Sequence, residues 1–196
     1  MSLLADARGM SPKVFFFLLL AFFDGVIRMF SFVFVPLFGL SMNFSLTSIS
    51  LLMAVMYLPF IFSFFFSEIE DRMQRMNVIA MGLFIGALSY ALLFLIVKET
   101  WMILLVVMTS FSLAIIRPAY NGAITRLTPR QMLGEVTGFN NLIERLGRIL
   151  GPILTGFIAD VYGLKITFLV IAILAFSLGV ISLLLRGYNA LIAAET

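Results

Sequence analysis

Asp24, Arg28, Arg117, Asn121, Asn141, Glu144, Arg145 and Arg148 each lie inside a long apolar run. An ionisable group at membrane depth costs about 2.5–3.5 kcal/mol even on the lenient insertion scale, so each needs a reason to be there. Handling a polar solute is one reason, and mutual neutralisation is another. Asp24 and Arg28 are spaced i, i+4, as are Glu144 and Arg148, so each pair shares a helical face and can neutralise itself. Arg117 has no acidic residue within its own run, which points to a ligand or to a partner on another element. Arg145 suits either an interface or a substrate contact. The chain has no Cys and no His, which removes disulfides, thiolate chemistry and imidazole metal ligation. No nucleophile–base pair or metal cluster stands out, so no metal, no cofactor and no enzymatic activity are expected. A proton switch would have to use a carboxylate.

The element that holds most of these groups spans residues 138–156, GFNNLIERLGRILGPILTG. At about 100° per residue, Asn141, Glu144, Arg145, Arg148, Pro152 and Thr155 fall within one arc of a helix. Phe139, Leu142, Ile143, Leu146, Ile149, Leu150, Ile153 and Leu154 fill the opposite arc. Such a helix shows one side to lipid or packed helices and the other to water, a solute or a partner's charge. Two further runs are sorted in the same way. Asp24, Arg28 and Ser31 share a face of the first, and Ser110, Arg117 and Asn121 share a face of the fourth.

Hydrophobic residues make up 62% of the chain, charged residues 12%, and mean hydropathy is +1.14. A soluble domain is about 45–50% apolar and 25% charged, so this composition specifies an integral membrane protein. The 22 phenylalanines are spread over the runs, which suits lipid-facing bulk. The net charge of +3 reads as topology, not as nucleic-acid binding. Apolar runs at about 14–40, 46–66, 78–97, 101–124, 133–159 and 166–185 each meet the length a bilayer-crossing helix needs. The first run is too long for a signal-peptide core. The expected organisation is a cytoplasmic segment 1–13, a six-helix transmembrane domain 14–186 and a cytoplasmic tail 187–196. Thr128, Pro129 and Gln131 form a capping pattern for the start of helix five, and Thr100 is a candidate cap for helix four.

Basic residues sort by side. Arg8, Lys13, Arg72, Arg75, Arg126, Arg130 and Arg186 fall on one set of loops and ends, against Lys98 and Lys165 on the other. Under the positive-inside rule both termini are cytoplasmic. Runs three and six carry no charge, and runs one and four each carry a polar face. Two three-helix repeats would look like this if the first helix of each lined a cavity and the third faced lipid.

In the loop after helix two, SEIEDRMQRM follows a Gly-x-x-x-Asp-Arg-x-Gly-Arg-Arg/Lys signature at Asp71, Arg72 and Arg75, with Ser67 and Gln74 replacing both glycines and Met76 the last basic residue. Helix five follows Gly-x8-Gly-x3-Gly-Pro-x2-Gly-Gly at Gly138, Gly147, Gly151, Pro152 and Gly156, with Thr155 in place of one glycine. On these motifs and this six-span frame the chain resembles the major facilitator superfamily, as one six-helix half. The resemblance covers essentially the whole chain. It implies a secondary transporter working by alternating access, symporter or antiporter, in the plasma membrane. It also implies a conformational latch at Asp71, Arg72 and Arg75, and packing or a hinge at Gly138, Gly147, Gly151, Pro152 and Gly156. Gly147 and Gly151 are spaced as in small-xxx-small helix contacts, and Pro152 favours a bend. Four arginines against two carboxylates in the spans favour a small-molecule substrate with an anionic group. Besides that substrate and membrane lipid, the expected partner is a second copy or a separate six-helix half, because half a cavity leaves its arginines facing lipid. A non-transporting scaffold, a regulatory half-subunit or an inactive fragment is the alternative reading.

Overall fold

The computed structural model describes residues 12–62, 74–95 and 98–194. Among them the chain forms six α-helices: α1 (Pro12–Ser41), α2 (Leu46–Ile61), α3 (Arg75–Leu95), α4 (Glu99–Leu127), α5 (Leu133–Tyr162) and α6 (Leu164–Ala194). A 3-10 turn, Arg130–Met132, precedes α5. Without water to satisfy backbone polar groups, long apolar runs close their hydrogen bonds internally, and helices are the outcome. Phe15–Ser41, Arg75–Leu95, Glu99–Leu127 and Leu164–Leu185 are long and apolar enough to cross a membrane, and α2 is a shorter apolar helix. At 30 residues α5 has the length too, but Glu144, Arg145 and Arg148 sit at its middle. Asp71 and Arg72 lie outside the described residues, and Arg75 opens α3.

The helix ends follow local chemistry. Asn43 takes a left-handed conformation, φ 60°, between α1 and α2, a role its short polar side chain tolerates. Ser45 then caps α2 by accepting from the Ser48 N–H at 3.1 Å. Gly163, at φ 89°, ends α5 with its N–H donating to the Ala159 carbonyl. Both caps expected from the sequence are corrected. Lys98, not Thr100, holds the N-cap position of α4, and it makes no side-chain cap bond. Thr128 is buried, and its hydroxyl donates back to the Ile124 carbonyl at 2.7 Å. That bond satisfies an orphan carbonyl at the end of α4, while Pro129 and Met132 hold the N-cap positions of the 3-10 turn and of α5 and make no side-chain cap bond.

Glycines decide which helices touch. A Cβ on Gly147 would collide with the Phe22 carbonyl of α1, one on Gly25 with the Glu144 carbonyl of α5, and one on Gly151 would lie 2.9 Å from the Val26 oxygen. The α1 and α5 backbones are therefore in direct contact, as small residues permit. Gly82 of α3 receives Ile116 of α4 and Gly86 receives Ser112, whose hydroxyl donates to the Gly82 carbonyl at 2.6 Å. Gly179 of α6 receives the Phe84 ring of α3. The most extensive contacts are α3 with α6, α1 with α5 and α3 with α4.

Phe30, Phe38, Phe168 and Tyr90 are almost fully buried, with ring centroids 5.1–6.0 Å apart along the seam of α1, α3 and α6. In α1 the phenylalanines are chiefly core bulk and only in part lipid-facing. Its rings fill the gaps between helices that glycines cannot fill, and Phe15 is its outward exception. The outer surface is supplied by Leu88, Leu95, Ile149, Ile153, Phe157, Ile173 and Leu184.

Candidate functional site

Two charged clusters face each other across α1, α4 and α5, and they differ in kind. On α1, Arg28 Nη2 donates to Asp24 Oδ1 and Oδ2 at 3.1 and 3.0 Å, and Nε donates to Oδ2 at 3.3 Å. Arg28 Nη2 also donates to the Leu113 carbonyl of α4 at 3.3 Å, and its guanidinium carbon lies 4.8 Å from the centre of the Phe60 ring of α2. Tyr120 of α4 donates to Asp24 Oδ2 at 3.3 Å. The Asp24 and Arg28 side chains are 1% and 7% exposed. This pair is closed, holding α1, α2 and α4 together through a charge that has no route to water. One turn on, the Ser31 hydroxyl donates to the Ile27 carbonyl at 2.9 Å, so its 2.6 Å bond to Tyr90 of α3 must use the tyrosine proton.

The second cluster is open. Arg117 of α4 donates to Glu144 Oε2 of α5 at 3.1 Å, and Arg148 donates to Glu144 Oε1 from four residues along the same helix. The Glu144 side chain is 3% exposed, whereas Arg117 and Arg148 are 41% and 37% exposed. One buried carboxylate thus fixes two arginines whose side chains remain partly exposed. A guanidinium carries five N–H donors in a rigid fork, so both keep donors for a further oxyanion. The cluster holds two cations and one anion. Arg117, which lacks an acid on its own helix, finds one on the neighbouring helix.

One turn towards the α4–α5 connection, Asn140 Nδ2 donates to Asn121 Oδ1 at 3.0 Å. Asn140 is buried, and its own Oδ1 has no partner. The helical arc drawn from the sequence placed Asn141 and Arg145 with Glu144. In the structure Asn141 and Arg145 are exposed, and the packed edge of α5 runs through Val136, Asn140, Glu144, Gly147, Gly151 and Thr155. The arc is rotated because Gly147 and Gly151, counted among nothing polar, are the residues that seat on α1. Asn140 and Tyr120 were missed. Each was signalled only by spacing, four residues before Glu144 and three after Arg117.

The motif glycines divide as well. Gly147 and Gly151 pack, but an added Cβ at Gly138 or Gly156 meets nothing within 4 Å among the described residues, so neither packs against them. Pro152 lies inside α5, which continues through it to Tyr162. The notable apolar concavity, about 510 Å³ between α3 and α6, is lined by residues such as Phe84, Leu88, Ile173 and Phe176, and it lies away from both charged clusters. Among the described residues no group of His, Cys, Asp and Glu could hold a metal ion.

Residues 16–190 match the family profile described as Major Facilitator Superfamily. No curated protein matches the chain.

Proposed function

The chain belongs to the Major Facilitator Superfamily, a family of membrane transporters, and from that premise we propose that it moves a small solute bearing an anionic group by alternating access. The observation that carries the reading is the open cluster on α4 and α5. Arg117 and Arg148 are fixed by one buried carboxylate, yet their side chains stay partly exposed. A cation approaching this pair meets net repulsion in a low-dielectric space, and an anion meets a preformed fork.

The partner in this reading is a second six-helix unit, most simply another copy. Its support is the exposure of Arg145 and of the charged edges beside it, which a bilayer would penalise. The helix pairing also supports two three-helix repeats. Exchanging helices one to three with four to six turns the α1–α5 pair into α4–α2, which are in contact, and maps α3–α6 onto itself. Six spans with both termini in the cytoplasm follow from the distribution of basic residues. Any coupling proton falls to Asp24 or Glu144, and each can take it only when its arginine pair opens. In this reading Asp71, Arg72 and Arg75 serve as the latch of the cytoplasmic loop.

Reconstitution into proteoliposomes with a panel of labelled organic anions, cations and neutral solutes tests the proposal. The expected outcome is uptake confined to anions, lost in Arg117→Ala while the variant still reconstitutes. Uptake of cations alone, or wild-type anion uptake in Arg117→Ala, would refute it.

A further inference from the structure

Glu144 stands where a ligand's carboxylate would stand. It accepts from Arg117 on one oxygen and from Arg148 on the other, and it is the only acid that either arginine meets among the described residues. The two bonds differ in permanence. Arg148 shares a helix with Glu144 at i, i+4, so that pair survives any movement between helices. Arg117 comes from α4, whose backbone approaches α5 at few points. Among the described side chains, Arg117–Glu144 and Asn140–Asn121 are the polar links between the two helices. The α1–α5 contact, by contrast, is backbone against backbone. Helix α5 is thus bolted to α1 and only clasped to α4.

We propose that Glu144 is a built-in surrogate ligand: in the empty state it fills the carboxylate seat on Arg117, and an incoming anion displaces it. Glu144 stays paired with Arg148, Arg117 passes to the ligand, and one of the two links clasping α4 to α5 is released. Binding is thereby tied to movement between helices, because the ligand differs in its affinity for the clasped and unclasped states. Charge selects the ligand class. Two cations and one anion leave the empty cluster at +1; a monocarboxylate brings it to zero, while a dianion would leave an uncompensated negative charge in a low-dielectric space. The unpartnered Nε of Arg148 and Oδ1 of Asn140 mark a cluster whose hydrogen bonding is incomplete when empty. This inference rests on the transporter reading for its purpose. Its test reads binding, not flux, so the two can fail separately.

The test uses acetate on the full chain in nanodiscs. Glu144→Ala vacates the seat, and sodium acetate should then raise its melting temperature saturably, beyond sodium chloride at equal ionic strength. The wild type should need at least tenfold more acetate for half the effect, because its own carboxylate competes, and Glu144→Ala with Arg117→Ala should show no acetate effect. If Glu144→Ala does not fold, Glu144→Gln keeps the shape without the charge and should show the same tenfold gain. Equal half-saturation in wild type and variant, or no acetate effect beyond chloride in a folded variant, overturns the proposal. A second measurement reads the clasp. The chain has no cysteine, so Asn121→Cys with Asn140→Cys places a single oxidisable pair across α4 and α5. Its cross-linking should slow severalfold in saturating acetate, and an unchanged rate overturns the release of α4.

Discussion

Replacing single glycines of α5 by alanine separates packing from sequence motif, because the same added methyl group should act with opposite sign at positions of the same motif. Alanine is worth up to about 1 kcal/mol more than glycine in a helix interior when the methyl group has room. At Gly138 and Gly156 nothing lies within 4 Å of the added carbon, so the expected change is neutral to about 1 kcal/mol stabilising. At Gly151 the carbon would sit 2.9 Å from the Val26 oxygen and 3.0 Å from its Cα. Ordinary contacts begin near 3.4 Å and both atoms are backbone, so α1 itself must shift, and the methyl group should cost more than the propensity gain. At Gly147 the obstacle is the Phe22 carbonyl, which is backbone and cannot rotate away. Overpacking of this kind costs about 1–3 kcal/mol. The spread between Gly147→Ala and Gly156→Ala should therefore reach about 3 kcal/mol, more than a hundredfold in the folding equilibrium. Denaturant titration in mild detergent, followed by fluorescence of the single tryptophan, Trp101, measures it. If Gly147→Ala unfolds together with the wild type, or all four alanines cost the same, the α1–α5 contact is not what the glycines serve.

Asp24→Asn should destabilise the fold by about 3–5 kcal/mol, because it leaves the Arg28 cation buried without its counter-ion; adding Arg28→Gln should recover part of that loss, and strictly additive losses in the same titration would refute the pairing. Single cysteines at Ser2, Glu99 and Thr196 should react with a membrane-impermeant maleimide from the cytoplasm, the outside and the cytoplasm respectively, and external labelling at either terminus overturns the six-span topology. In nanodiscs the mass should correspond to at least two copies, and a stable single copy that transports would refute the dimer.

Much of the fold was legible in the sequence because a bilayer leaves so few solutions. A run that is long and apolar has to become a helix there, and α1, α3, α4 and α6 follow from that alone. The pairing of Asp24 with Arg28 and of Glu144 with Arg148 was equally legible, since i, i+4 spacing puts two side chains on one face whatever surrounds the helix. The helix caps were not. Thr128 lies at the end of α4 and donates back to the Ile124 carbonyl, a position set by where α4 stops and not by the capping pattern that follows it.

The candidate site shows the same division. Sequence determined that Arg117 needed an acid or a ligand, because a lone guanidinium at membrane depth is too costly to stand unsatisfied. It could not determine that the acid is Glu144, 27 residues away, since helical periodicity relates residues within a helix and says nothing of rotation between helices. That rotation was set by shape. Gly25, Gly147 and Gly151 let α1 and α5 meet backbone to backbone, which turned Asn140 and Glu144 inward and left Asn141 and Arg145 on the exposed flank. Charge and hydropathy are properties of residues and can be read along the chain. Close packing is a property of pairs of surfaces, and it exists only once the helices are side by side.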